Sequence, residues 1–127
     1  MHELPIMKSI YKTVVTKAES VQATSIRRIV LEVGVLRDYV PEIMQRYWDY
    51  IAAGSIAEGA RIEVREIDAV AHCGRCGNDY KITRGHFAEP RCPVCGYDRG
   101  ELIAGSELRI VGIEITPETD GTVQRPA

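Results

Sequence analysis

The first three residues of the chain, Met1-His2-Glu3, combine donors that can bind a metal ion. The α-amine, the backbone nitrogen of His2 and the nearer ring nitrogen of His2 can reach one ion together, closing a five-membered and a six-membered chelate ring. Nitrogen donors in one plane suit Ni(II) or Cu(II). Glu3 can add an oxygen or a backbone donor, or can act as an anion at the positive end of a helix. By itself, an N-terminal His is more often an incidental surface residue.

Two C-x-x-C pairs form a second group with metal-binding chemistry. Cys73 and Cys76 are separated by fifteen residues from Cys92 and Cys95. At this spacing two turns can bring four thiolates to one tetrahedral zinc ion. Each pair is followed by glycine, Gly77 or Gly96, which favours a turn with positive φ. A four-thiolate zinc site has no open coordination position, so it is expected to be structural.

The sequence alone leaves two other interpretations of the cysteine segment open. Either C-x-x-C pair can serve redox chemistry, although a redox motif needs one pair and this chain has two. His72 and His86 lie beside and between the pairs and can each replace a thiolate, or simply lie on the surface.

The composition is that of a globular protein without a membrane span. Apolar residues make up 45% and charged residues 27% of the 127, with 16 basic and 18 acidic side chains and a net charge of −2. No segment approaches the roughly 20 apolar residues that cross a bilayer. Residues 68–101 contain five basic and five acidic side chains, so a basic surface for nucleic acid is not indicated. We therefore expect a cytoplasmic protein that binds neither nucleic acid nor membrane.

The segments around these residues predict an α+β fold: two helices packed on a small, mainly antiparallel three-stranded sheet, with an inserted four-cysteine zinc-ribbon-like lobe. Apolar residues at three- and four-residue steps predict a helix over 4–19. Pro41 opens a second helix that ends by Gly54. Alternation predicts strands at 25–36, 60–67 and 108–115.

This order predicts three parts. Residues 1–67 plus 106–115 form an α+β domain that carries the N-terminal donors for nickel, residues 68–105 form a zinc-binding domain, and residues 116–127 form a disordered tail. If the strands at 60–67 and 107–115 pair, the cysteine segment is an insertion between them. This segment has few large apolar residues, so we expect metal to supply its stability. For structural zinc that is on the order of 10–16 kcal/mol in small peptides.

The chain resembles the HypA/HybF family of nickel metallochaperones for hydrogenase maturation. The resemblance covers residues 1 to about 115, and it rests on both C-x-x-C pairs and on Met1-His2-Glu3-Leu4, Leu31-Glu32-Val33-Gly34, Val40-Pro41-Glu42, Ile56-Ala57-Glu58-Gly59-Ala60 and Gly105–Ile115.

The resemblance implies a metallochaperone and not an enzyme. It implies Ni(II) bound at the free N-terminus by Met1, His2 and Glu3, and structural Zn(II) on the four cysteines. It also implies delivery of nickel to [NiFe] hydrogenase, with a HypB-type GTPase and the hydrogenase large subunit as partners. The alternative is a zinc-ribbon module that binds protein or nucleic acid and has no nickel function.

Overall fold

The fold was analysed in a computed structural model, which describes residues 3–83 and 90–117. These residues form two helices, α1 (Glu3–Ser20) and α2 (Pro41–Ile51), a short 3-10 helix at Val35–Arg37 and six strands. The strands are β1 (Ser25–Gly34), β2 (Arg61–Ile67), β3 (Ala69–Cys73), β4 (Asp79–Ile82), β5 (Gly100–Ala104) and β6 (Leu108–Thr116). The α+β prediction is confirmed. The predicted tail, apart from Thr116 and Pro117, lies outside the described residues.

The helices and the first sheet share an apolar core. Met7, Ile10, Val14 and Ala18 recur at three- and four-residue steps along α1 and are buried. Trp48 of α2 is fully buried, its indole Nε1 donates to the carbonyl of Ala57, and its ring lies 5.7 Å from the ring of Tyr11. The apolar periodicity of α1 therefore identified the side of this helix that packs inward.

The first sheet has the strand order β2-β1-β6. Thr24 N donates to Thr116 O and Gly34 N donates to Glu107 O, so β1 and β6 run antiparallel. The idea that the strands at 60–67 and 107–115 pair with each other is wrong, because β1 lies between them. A central strand has less exposed surface than an edge strand, and consecutive residues Ile29, Val30 and Leu31 are all buried.

The second sheet lies within the cysteine segment and was not predicted from the sequence. β3 is its central strand and pairs antiparallel with both β4 and β5. Its core is small: Ala71, Cys73, Tyr80 and Cys92 are buried, and Ile82, Cys95 and Tyr97 pack against them. Small residues and cysteines replace the large apolar residues by which strands are usually recognised.

The chain packs as two compact units, which divide at slightly different points from the predicted domains. One comprises Met1–Leu31, Tyr39–Arg65 and Arg109–Ala127, including termini outside the described residues. The other comprises Glu32–Asp38 and Glu66–Leu108, so residues 32–38 pack with the cysteine segment.

The packing of residues 32–38 depends on a close approach between Gly34 and Gly105. A Cβ atom at Gly34 would overlap the carbonyl group of Gly105. Leu36 N donates to Gly105 O at 2.9 Å, and Arg37 Nε donates to Ser106 O at 2.8 Å. The absence of a side chain at position 34 permits these backbone bonds.

We predict that Gly34→Ala lowers the free energy of unfolding by at least about 2 kcal/mol, because backbone must move to relieve the overlap. Gly112→Ala is the matched control: its new Cβ has no neighbour within 4 Å, so a change under about 1 kcal/mol is expected. Urea denaturation followed by circular dichroism measures both variants. Equal stability of the two variants would contradict the close-approach argument.

Candidate metal centres

The four cysteines lie together at one end of the second sheet. Their sulfur atoms all lie within 4.8 Å of one another. Cys73 Sγ is 3.6 Å from Cys95 Sγ, and Cys76 Sγ is 3.5 Å from Cys92 Sγ. A tetrahedral ion with Zn–S bonds of about 2.3 Å places neighbouring sulfurs about 3.8 Å apart. Disulfide sulfurs would be about 2.05 Å apart, so the arrangement fits structural zinc and not a pair of disulfides.

The two C-x-x-C turns position their sulfurs in the same way. Gly77 N donates to Cys73 O and Gly96 N donates to Cys92 O, and both glycines have positive φ, 79° and 77°. The first cysteine of each turn is buried. The expectation that these glycines permit the turn is confirmed, since side chains rarely adopt this backbone region.

Backbone N–H groups stabilise the thiolate form of the first cysteine in each turn. The N–H groups of Cys76 and Arg75 point at Cys73 Sγ, at 3.4 and 3.3 Å, and lower the pKa of this thiol to about 6. Burial raises the pKa of Cys92, but the N–H groups of Cys95 and Val94 outweigh burial and leave it lowered. The turns therefore favour the deprotonated sulfur that binds a metal.

The Cys76 thiol, in contrast, is held in its protonated form by its surroundings. The Asn78 N–H lowers the pKa of Cys76, but burial and the neighbouring sulfurs outweigh it and raise that pKa to about 12. A divalent ion at the centre of the four sulfurs offsets the repulsion between thiolates and favours loss of the Cys76 proton. Thiolate donors in a tetrahedral set are the ligands that zinc prefers.

His72 lies on the opposite face of β3 from the thiolates. Successive side chains of a strand point to opposite faces, and Ala71 and Cys73 are buried whereas His72 is exposed. His72 Nδ1 pairs with Asp79 Oδ1 at 2.6 Å across the β3–β4 ladder, and the Asp79 carboxylate raises the pKa of this imidazole. In this arrangement His72 does not face the metal position. His86 lies outside the described residues.

Of the predicted nickel ligands, Met1 and His2 lie outside the described residues and Glu3 is described. The Glu3 side chain is 4% exposed, and its Oε2 accepts a hydrogen bond from Val40 N at 3.1 Å. Val40 is the residue before α2, and no side chain of its own segment caps that helix. The Glu3 carboxylate therefore satisfies one of the free N–H groups at the start of α2, a role that the sequence did not predict.

A family model described as hydrogenase/urease nickel incorporation metallochaperone, HypA, matches residues 1–115. The hydrogenase maturation factor HypA of Acidithiobacillus ferrooxidans is 32% identical over 91% of this chain and 99% of its own length. The HypA of Chlorobium limicola is 36% identical over 91% of this chain and 97% of its own.

Two solved structures share the fold. The solution structure of the nickel metallochaperone HypA from Helicobacter pylori has a TM-score of 0.63 and 19% identity, covering 93% of this chain and all of that one. A second solution structure, of a HypA protein, has a TM-score of 0.68 and 19% identity, covering 93% of this chain and 98% of that one.

The cysteine cluster predicts a selective loss of structure. Cys73→Ser should remove zinc and unfold β3 to β5, because half of the small buried core consists of cysteines. Val94→Ser is the control, since this residue lies between two ligands but is largely exposed. Zinc analysis and two-dimensional NMR test both variants. We expect α1 and α2 to keep their native signals in Cys73→Ser, and full retention of zinc by this variant would contradict the four-thiolate site.

The four-cysteine cluster thus fits structural zinc, and the match over residues 1–115 shows that this chain belongs to the HypA family of metallochaperones, which are maturation factors for nickel incorporation and not enzymes.

Proposed function

We propose that this chain binds Ni(II) through the α-amine of Met1, the backbone and ring of His2 and the backbone of Glu3, and delivers it during maturation of [NiFe] hydrogenase. The observation that carries the proposal is the buried Glu3 carboxylate bonded to Val40 N. This bond fixes the chain at the residue after His2. A fixed attachment lowers the conformational entropy lost when the preceding donors close on an ion.

The donor set suits a metal that must be passed on. The amine, the two backbone donors and one imidazole can bind around the ion in one plane, which leaves the positions above and below that plane open. An acceptor can therefore bind the ion before the donor releases it. The four thiolates form a closed set and are separate from this chemistry. The zinc segment is therefore proposed to be structural, and the N-terminus is proposed to carry the transported ion.

The partners follow from the family and are part of the proposal. A HypB-type GTPase and the hydrogenase large subunit are proposed to act with this chain in the cytoplasm. The family description names hydrogenase and urease together, and we propose hydrogenase because the similar maturation factors carry that name. No helix in the described part of the chain is long and apolar enough to cross a membrane.

Nickel affinity should depend on His2 and on an unblocked amine. We predict that His2→Ala, or a Gly-Ser extension before Met1, weakens Ni(II) binding by at least about tenfold, since loss of a group that merely supports a ligand already costs 10- to 100-fold. His86→Ala is the matched control and should bind nickel like the original chain. Competition with a chromophoric chelator on untagged, zinc-loaded protein measures the affinities. Unchanged binding in both N-terminal variants would leave the zinc-ribbon interaction module as the better account.

Nickel should also be released as the pH falls. The α-amine, with an ordinary pKa of about 7.7–8.0, and imidazole, with about 6.5, must both be deprotonated to bind metal. We predict that the affinity measured in the same competition decreases steadily between about pH 8 and pH 6. Constant affinity across this range would exclude these two donors.

Variants of Glu3 separate a backbone donor from a carboxylate donor. Glu3→Gln keeps an oxygen that can accept from Val40 N, so we predict nickel affinity within about twofold of the original. Glu3→Ala leaves that N–H without its acceptor and should lower the free energy of unfolding by about 1–3 kcal/mol. A large loss of nickel affinity in stable Glu3→Gln would instead make the carboxylate itself a ligand.

A further inference from the structure

A groove with an apolar floor runs between α1 and β6 in the first unit. Thr13, Val14 and Lys17 line it from the helix, and residues 110–113 line it from the strand. Its volume is about 310 Å³. Ile110 and Val111 remain 37% and 43% exposed at its margin. Neighbouring exposed apolar residues beside a groove are a common feature of surfaces that bind another chain.

β6 is an edge strand of its sheet. In the order β2-β1-β6 it has β1 on one side, and no described strand pairs with its other side. Its nine residues, Leu-Arg-Ile-Val-Gly-Ile-Glu-Ile-Thr, contain neither proline nor lysine, the residues that most often prevent pairing at an edge. The outer edge of β6 can therefore accept the backbone of an added strand.

The helix side of the groove is basic. Lys12 and Lys17 line a second hollow that adjoins the groove, together with Thr13, Thr16 and Ser20. Both lysines are exposed, and neither forms an ion pair within the described residues. Glu114 of β6 pairs with Arg28 at 3.3 Å, and Arg28 also pairs with Glu63, which pairs with Arg65. The two acidic and two basic groups of this network balance one another. Unpaired positive charge beside an apolar floor favours a ligand with both acidic and apolar side chains.

We infer that an extended, acidic segment of a partner protein binds here as a fourth strand along β6, with apolar side chains in the groove and carboxylates against Lys12 and Lys17. The edge strand and the apolar floor favour a peptide over a phosphate polymer, which needs mainly positive charge. This surface is separate from the proposed nickel donors, so the inference goes beyond the proposed function.

The probe is a fluorescent ten-residue peptide of alternating Val and Glu, added to the full zinc-loaded chain at about 0.1 M salt. We expect peptide binding to shift backbone amide signals of residues 108–116 and 12–20 in NMR spectra. Lys12→Glu with Lys17→Glu should weaken binding at least tenfold by fluorescence anisotropy. Lys8→Glu is the control, because Lys8 is exposed on the same helix but does not line the groove, and its affinity should stay within twofold.

A variant at Gly112 tests the groove without changing charge. Gly112 lines the groove and no atom lies within 4 Å of a Cβ at this position, so Gly112→Ile adds an uncharged side chain at the groove without a clash at Cβ. We expect at least tenfold weaker peptide binding with an unchanged urea midpoint. Three results would overturn the inference. The first is that a Val-Lys peptide binds as tightly as the Val-Glu peptide, and the second is that amide shifts are confined to residues outside 108–116 and 12–20. The third is that single-stranded DNA competes with the peptide and binds more tightly. Peptide binding is also measured in a chain that carries His2→Ala and so lacks a proposed nickel ligand. This separates peptide binding from nickel binding.

Discussion

Four sulfur atoms held within 4.8 Å of one another are the constraint on which the second unit depends. The sulfurs repel when ionised, and the small sheet around them buries few large side chains. A zinc ion offsets the repulsion because it balances the thiolate charge. It also compensates for the small core, because it joins two turns that are far apart in the sequence. The backbone N–H groups of the turns contribute by favouring thiolate at Cys73 and Cys92.

The first unit depends on a different kind of bond. Glu3 connects the start of α1 to the start of α2 through Val40 N, so one carboxylate lies at the positive ends of two helices. A short chelating sequence on a free chain end would lose much conformational freedom on binding metal. A chelating sequence attached at a buried residue loses less, so under the proposed function the buried Glu3 would favour nickel binding as well as stability.

Local patterns in the sequence predicted the features that depend on neighbouring residues. The periodic apolar positions Met7, Ile10 and Val14 identified α1, and the glycine after each C-x-x-C pair identified the two turns. The spacing of the two C-x-x-C pairs also predicted the four-cysteine cluster, but other features that depend on distant residues were not predicted. The Glu3–Val40 bond, the contact of Gly34 with Gly105 and the central place of β1 each join residues far apart in the chain. The strands β3 to β5 were not predicted either. In the central strand β3, for example, Ala69, Ala71 and Cys73 have only a weak preference for strand structure.

X-ray absorption spectroscopy at the nickel and zinc edges can test whether nickel binds at the N-terminus while zinc stays on the four thiolates. The sample is untagged, zinc-loaded protein with one equivalent of Ni(II). We expect a nickel shell of nitrogen and oxygen that includes imidazole, and a zinc shell of four sulfurs at about 2.3 Å. Sulfur in the nickel shell, or loss of zinc when nickel is added, would contradict this expectation.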